Sequence, residues 1–295
     1  MRIRRRTEPG HAHGIGNAAY LGKLALLALI GYSLCVGMVL IVASTDVGGG
    51  DFVVYSDAVR AFLVSEDPYV LPGGLQFYNP PWALFFLLPF ALLPTPFGQA
   101  ALVFATFCVY AYTARRLGAN LVVIGILLTS LPVFMGVLYG SIDWLVFLGA
   151  AFPPQIGMIF IVMKPQVGMG LAVYWVVAAW IRGGFREVVA LLSPVALVFV
   201  CSLCWFGFWP VCWLRSTANV VAFWPYLVPV GCGLMVAAIV RKNYKFALLS
   251  GPCFAPHVLT YSLTGVLLVT MDRPVIMAAI SVLLWLVQLI LCGYL

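Results

Sequence analysis

Leu24-Ala-Leu-Leu-Ala-Leu-Ile-Gly-Tyr-Ser-Leu-Cys-Val-Gly-Met-Val-Leu-Ile-Val-Ala43 is a run of 20 residues without a single charge. A helix needs about 20 mostly apolar residues to cross the hydrocarbon core of a bilayer, so this stretch reads as a membrane span. It has no A-x-A-like cleavage site and reads as a retained first helix, not a removed leader. Residues 1–23 in front of it carry Arg2, Arg4, Arg5, Arg6 and Lys23, which places a basic N-terminus in the cytoplasm by the positive-inside tendency. The rest of the chain agrees with a membrane solvent. Of 295 residues, 16 are Lys or Arg and 9 are Asp or Glu, 64% are apolar, and the mean hydropathy is +1.08. The charged share of 8% compares with about 25% in soluble domains, too little to cover a water-facing surface. The net charge of +7 includes no basic patch interleaved with aromatics, which excludes nucleic acid as a partner. The eight cysteines lie mostly in apolar runs, where a thiol packs as a small hydrophobe. Cys201-x-x-Cys204 has no second pair beside it, and no convincing metal cluster is present.

Apolar segments recur near 24–43, 82–93, 98–114, 121–138, 144–163, 167–181, 188–210, 226–240, 246–259, 258–271 and 275–292. They predict an all-α polytopic membrane protein with about ten transmembrane helices in a single domain over 24–293. The first external loop, 44–81, holds Asp46, Asp51, Asp57, Glu66 and Asp67 against Arg60 alone. The dozen residues Trp82–Leu93 are too short to cross and are crowded by Pro80, Pro81, Pro89, Pro94 and Pro96, which suits a re-entrant or interfacial helix. Keeping the chain in phase then makes Trp144–Met163 a hairpin of short helices turning at Pro153-Pro154. On this path 13 of the 16 basic residues are cytoplasmic and six of the nine acids external, leaving Arg60, Lys164 and Arg215 as the external basics.

Ionisable groups beside spans are costly, and each is a functional candidate. In Gly48-Gly-Gly-Asp51-Phe-Val-Val-Tyr55-Ser-Asp57-Ala-Val-Arg60-Ala-Phe-Leu63, residues Phe52, Tyr55, Val59, Phe62 and Leu63 fall on one stripe and Ser56, Asp57 and Arg60 on another. That pattern predicts an amphipathic juxtamembrane helix on the outer surface. Asp51 at its start is either an N-cap or a general base, since a carboxylate at a helix N-terminus stays ionised. Lys164, in Met-Lys-Pro-Gln166, interrupts a long apolar stretch and is either a snorkelling stem or an anion site. Asp143 follows Tyr139-Gly140-Ser141 at a span end, and His257 follows Ala255-Pro256 between apolar segments.

In order along the chain stand Asp51-Phe-Val-Val-Tyr55 with Asp67-Pro68-Tyr69, Phe77-Tyr78-Asn79-Pro80-Pro81, Arg115-Arg116-Leu117-Gly118, Tyr139-Gly140-Ser141-Ile142-Asp143, Lys164-Pro165-Gln166 and Ala255-Pro256-His257. This ordered set resembles the integral-membrane glycosyltransferases of the C superfamily, in particular the polyprenyl-phosphate-sugar-dependent mannosyltransferase-like family of bacteria. The usual Gly-Gln-x-Asn signature is replaced here by Gly140-Ser-Ile-Asp143, and Tyr-Pro-Pro by Tyr78-Asn-Pro-Pro81.

The resemblance implies a multi-pass protein of the bacterial plasma membrane with its active site outside the cytoplasm. It implies Asp51 as the general base that activates an acceptor hydroxyl for inverting displacement. Lys164 and His257 would bind the donor phosphate, and Tyr55, Asp57, Arg60, Tyr78, Asp143 and Gln166 would shape the substrate site. The donor would be a polyprenyl-phosphate-linked sugar, the acceptor a glycan, lipid or protein, and no cofactor or metal would be needed. Two other readings stand beside it: a non-catalytic membrane subunit that keeps the fold and docks a membrane-protein partner, and a small transporter or flippase.

Overall fold

A computed structural model describes residues 12–43, 48–214, 225–255 and 258–292. His257, Arg215 and the arginines of the N-terminus lie outside the described residues. Every regular element among the described residues is helical. In order they are α1 (Ala12–Ala43), α2 (Gly50–Leu63), α3 (Ala83–Ala91), α4 (Thr95–Arg116), α5 (Leu121–Leu128), α6 (Leu131–Tyr139), α7 (Asp143–Ala150), α8 (Pro154–Ile161), α9 (Pro165–Gly183) and α10 (Phe185–Phe206). After the single turn α11 (Val211–Leu214) come α12 (Val228–Val240), α13 (Tyr244–Phe254), a 3-10 turn at Thr260–Leu263, α14 (Thr264–Val269) and α15 (Pro274–Leu291).

Ten spans are not found. Among the described residues four helices are long and apolar enough to cross a bilayer, within α1, α4, α10 and α15, and α5 with α6 makes a fifth if the pair, bent by 54°, is one span. The reason is local chemistry. Runs that read as continuous by hydropathy are cut by proline and polar caps into helices of 8 to 13 residues. At 1.5 Å per residue these reach only about 12–20 Å, against a core of about 30 Å. The 121–138 run breaks at Thr129-Ser130, ahead of Pro132. The 144–163 run breaks ahead of Pro154, giving the short helices α7 and α8 packed on each other. Gly149 and Gly157 stand at that contact: a Cβ on Gly157 would lie 2.4 Å from the Gly149 carbonyl oxygen. Trp82–Leu93 forms α3, nine residues long with Pro89 inside it, too short to cross.

The layering follows from burial. α1, α10 and α15 leave most apolar side chains exposed, including Leu34 at 70% and Leu197 at 65%, as lipid-facing helices do. α4 is half buried and packs on α1, α3, α5 and α7. The helix α2 differs from a surface-lying helix. Its stripe Phe52, Tyr55 and Val59 is buried in the same core as Phe77, Leu84 and Val137, so it faces protein instead of lipid. Ser56, expected on the polar stripe, is buried with it, while Leu63 is exposed.

Two helices show how charge is sorted. α4 starts where Gly98 meets Phe52 and ends at Arg115-Arg116, roughly 30 Å away. α9 starts at Lys164 and ends at Arg182, then turns at Gly184 (φ +65°) so that α10 returns antiparallel beside it. Lys164 and the Phe206 end of α10 therefore share one end of the bundle, with Arg182 and Arg186 at the other.

Candidate functional site

Left-handed glycines set Asp51 in place. Gly48 (φ +87°) and Gly49 (φ +74°) turn the chain into α2, and the Gly49 N–H donates to the Leu138 carbonyl at 2.7 Å. A Cβ on Gly48 would lie 2.5 Å from that same oxygen, so only glycine permits the approach. From the other side Gly140 (φ +76°) ends α6, and a Cβ there would lie 2.8 Å from Cβ of Phe52. The two turns interlock, bringing the first turn of α2 against the end of α6. Asp51 does not cap its helix: the N-cap is Gly49, with no side-chain cap bond.

The Asp51 carboxylate instead meets a residue 210 positions away, since the Tyr261 hydroxyl donates to its Oδ2 at 3.2 Å. The face of the same Tyr261 ring lies under the Lys164 ammonium, whose Nζ is 4.3 Å from the ring centre. Lys164 sits at the N-cap of α9, where a cation is disfavoured by the helix dipole, and is almost fully buried. Its compensation is an ion pair with buried Asp143 in the first turn of α7, plus a hydrogen bond to the Ser141 hydroxyl at 3.0 Å. The Ser141 hydroxyl in turn donates to Asp143 Oδ1 at 2.9 Å, while Asp143 Oδ2 is buried without a hydrogen-bond partner among the described residues. Burial raises the Asp51 pKa above the ordinary carboxylate value. Lys164 and the Tyr261 hydroxyl pull it back, and Asp143 pushes it up.

Of the residues singled out in the sequence, Asp51, Tyr55, Asp143 and Lys164 come together. Tyr55 is buried beside Asn79 and Ile142, within the field of Asp51 and Asp143. Asp57 and Arg60 are not brought in. They form an ion pair with each other at 3.9 Å on the outer face of α2, half exposed. Tyr78 is exposed and hydrogen-bonds Gln76, in the loop before α3. Gln166, one residue into α9 beyond Pro165, is half-buried and makes no hydrogen bond to the cluster among the described residues. His257 lies outside the described residues.

Sequence reasoning missed Tyr261, which touches both charges. The only trace it leaves is that Thr260-Tyr-Ser-Leu-Thr264 is a polar interruption between two apolar runs. Ser141 also belongs to the cluster, and was visible only as part of the Tyr139–Asp143 motif.

No family model, curated protein or solved structure matches this chain. The chemistry of the site is read from its own atoms. It offers a partly buried carboxylate with one oxygen held by a phenol, beside a carboxylate-paired ammonium. Two carboxylates face one cation, so an approaching anion competes with Asp143 for Lys164, whereas an approaching hydroxyl finds an acceptor in Asp51.

Proposed function

We propose that the chain is a membrane glycosyltransferase that moves a sugar from a polyprenyl phosphate to an acceptor outside the cytoplasm of a bacterial cell. In the transfer, the acceptor hydroxyl oxygen attacks the anomeric carbon as Asp51 takes its proton. The bond from that carbon to the phosphate oxygen breaks on the opposite face, inverting the centre, and polyprenyl phosphate leaves. Tyr261 aims the Asp51 carboxylate. Lys164 supplies the nearest positive charge for the leaving phosphate, where negative charge grows. Tyr55 and Asp143 wall the site.

The observation that supports this reading is the meeting of Asp51 with Lys164 through one tyrosine ring, at the bundle end away from Arg115, Arg116, Arg182 and Arg186. Basic residues favour the cytoplasmic side, which puts the Asp51 end outside. The test is purified protein in vesicles loaded with polyprenyl-phosphate sugars, with mass spectrometry of the lipids. Release of polyprenyl phosphate that Asp51→Asn abolishes supports the reading, and equal release by that variant contradicts it.

One observation favours a second reading, a non-catalytic subunit. Lys164 is already paired with Asp143, as a purely structural buried ion pair would be. That reading predicts no release of polyprenyl phosphate from any lipid-linked sugar.

A further inference from the structure

Separate from the Asp51 cluster, a cavity of about 310 Å³ opens between the loop before α3 and the segment that follows α10. That volume is at the small end of the range for small-molecule sites, about 300–1,000 Å³. The loop contributes Asp67, Tyr69, Gln76 and Tyr78, and the chain after α10 contributes Phe208 and Trp209.

The wall is fixed before any ligand arrives. Gly207 (φ +65°) turns the chain back at the end of α10, and Trp209, 2% exposed, is locked by its indole N–H donating to the Ser202 hydroxyl at 3.0 Å. The Trp209 ring lies parallel to Tyr69, 7° between planes with centres 6.4 Å apart, and edge-on to Trp82. Tyr69 is anchored at its other end, where its hydroxyl donates to the Asn79 carbonyl at 2.9 Å. Asp67 Oδ1 accepts the Tyr69 N–H at 2.9 Å, which fixes the carboxylate at the cavity edge. Against this frame the Phe208 and Tyr78 side chains stand at the surface, 72% and 43% exposed.

Flat aromatic faces beside a carboxylate, an amide and a phenol suit one ligand chemistry in particular. A pyranose carries C–H bonds on its faces and hydroxyls around its rim. The C–H groups match the negative faces of aromatic rings, and the hydroxyls, which both donate and accept, match an accepting carboxylate as well as an amide and a phenol. We propose that this cavity binds a pyranose unit of a carbohydrate. Its place adds a role, which rests on the transferase reading. Phe77 lines the cavity and packs edge-on against Tyr55, 6.2 Å between centres, and Tyr55 reaches Asn79 and the Asp51 cluster. Two rings, Phe77 and Tyr55, stand between the cavity and the base, so the cavity is where the outer unit of a glycan acceptor would be held.

The test is saturation-transfer-difference NMR on the full chain in lipid nanodiscs, with methyl pyranosides of mannose, glucose and galactose and with a cyclohexanol control. At least one pyranoside should bind in preference to cyclohexanol. Gln76→Ala, Asp67→Asn and Phe208→Ala, all at exposed positions, should each weaken it by about fivefold or more with the melting temperature unchanged. No pyranoside binding at tens of millimolar, or binding that all three variants leave intact, overturns the proposal. The two readings fail separately. Sugar binding retained by Asp51→Asn, with no transfer in the parent, would sink the transferase and leave the cavity standing. Transfer whose acceptor KM ignores all three variants would sink the cavity alone.

Discussion

At the scale of single residues, Asp51 is set up to titrate late. Its burial outweighs the help of Lys164 and Tyr261, so it holds its proton to a higher pH than the ordinary aspartate value of about 3.9. Activity needs the anion, so the acid limb of a rate profile should lie above that range. The sign for stability is the reverse. The folded state binds the proton more tightly than the unfolded one, so this contribution is complete below the ordinary value and is lost as pH rises through the raised one. Tyr261→Phe keeps the ring under Lys164 and removes only the hydrogen bond that favours the carboxylate. It should move the acid limb further up, readable without substrate by infrared titration of the carboxylate as a difference from Asp51→Asn. An unmoved limb would mean that the hydroxyl does not act on Asp51. Lys164→Met leaves Asp143 buried without its partner and should cost about 3–5 kcal/mol, while the double variant with Asp143→Leu should recover most of it. Thermal unfolding in detergent measures both, and two equally destabilised proteins would contradict the pairing.

At the scale of elements, the site depends on where helices stop. Gly140 has a left-handed backbone and faces Phe52, so Gly140→Ala meets both a conformational penalty and a steric one. The expected loss is about 2–4 kcal/mol, and the start of α2 should loosen as faster hydrogen exchange at Phe52–Tyr55. Unchanged exchange there would show that the two turns are not coupled. The sequence made α2 legible because a 100° stripe and a glycine entry mark a helix whatever covers it. It did not reveal the cover, because an apolar face reads the same against lipid as against Phe77 and Leu84. The α7–α8 hairpin was legible from the need to keep the charged loops in phase and from Pro153-Pro154. The Lys164–Asp143 pair was not, because 21 residues and two short helices separate its members, and no local pattern reports that path.

At the scale of the whole molecule, hydropathy identified the membrane class and overcounted the spans. α1, α10 and α15 are single helices long and apolar enough to cross a bilayer, as their unbroken runs predict, because an unbroken apolar helix is what the scale measures. α7, α8, α13 and α14 read as apolar runs, but they are short and bury side chains such as Phe147, Ile161, Leu248 and Leu267 in the core, and composition alone cannot separate the two uses. The scarcity of charge was the better guide to the site, since Asp51 and Lys164, with the neighbourhood of His257, stood out for lack of a topological role. Asp143 did not, because solvent exposure at a span end accounts for it, and His257 lies outside the described residues. Tyr261 stayed hidden because tyrosine is ordinary near a membrane interface. What this arrangement does is decided most directly by the reconstituted protein given a polyprenyl-phosphate sugar and assayed for released polyprenyl phosphate, parent against Asp51→Asn. Turnover in the parent, reduced about 10²–10⁴-fold in a variant that melts at the same temperature, is the predicted result. Equal turnover in the two proteins, or none in the parent with any lipid-linked hexose or pentose, would contradict it.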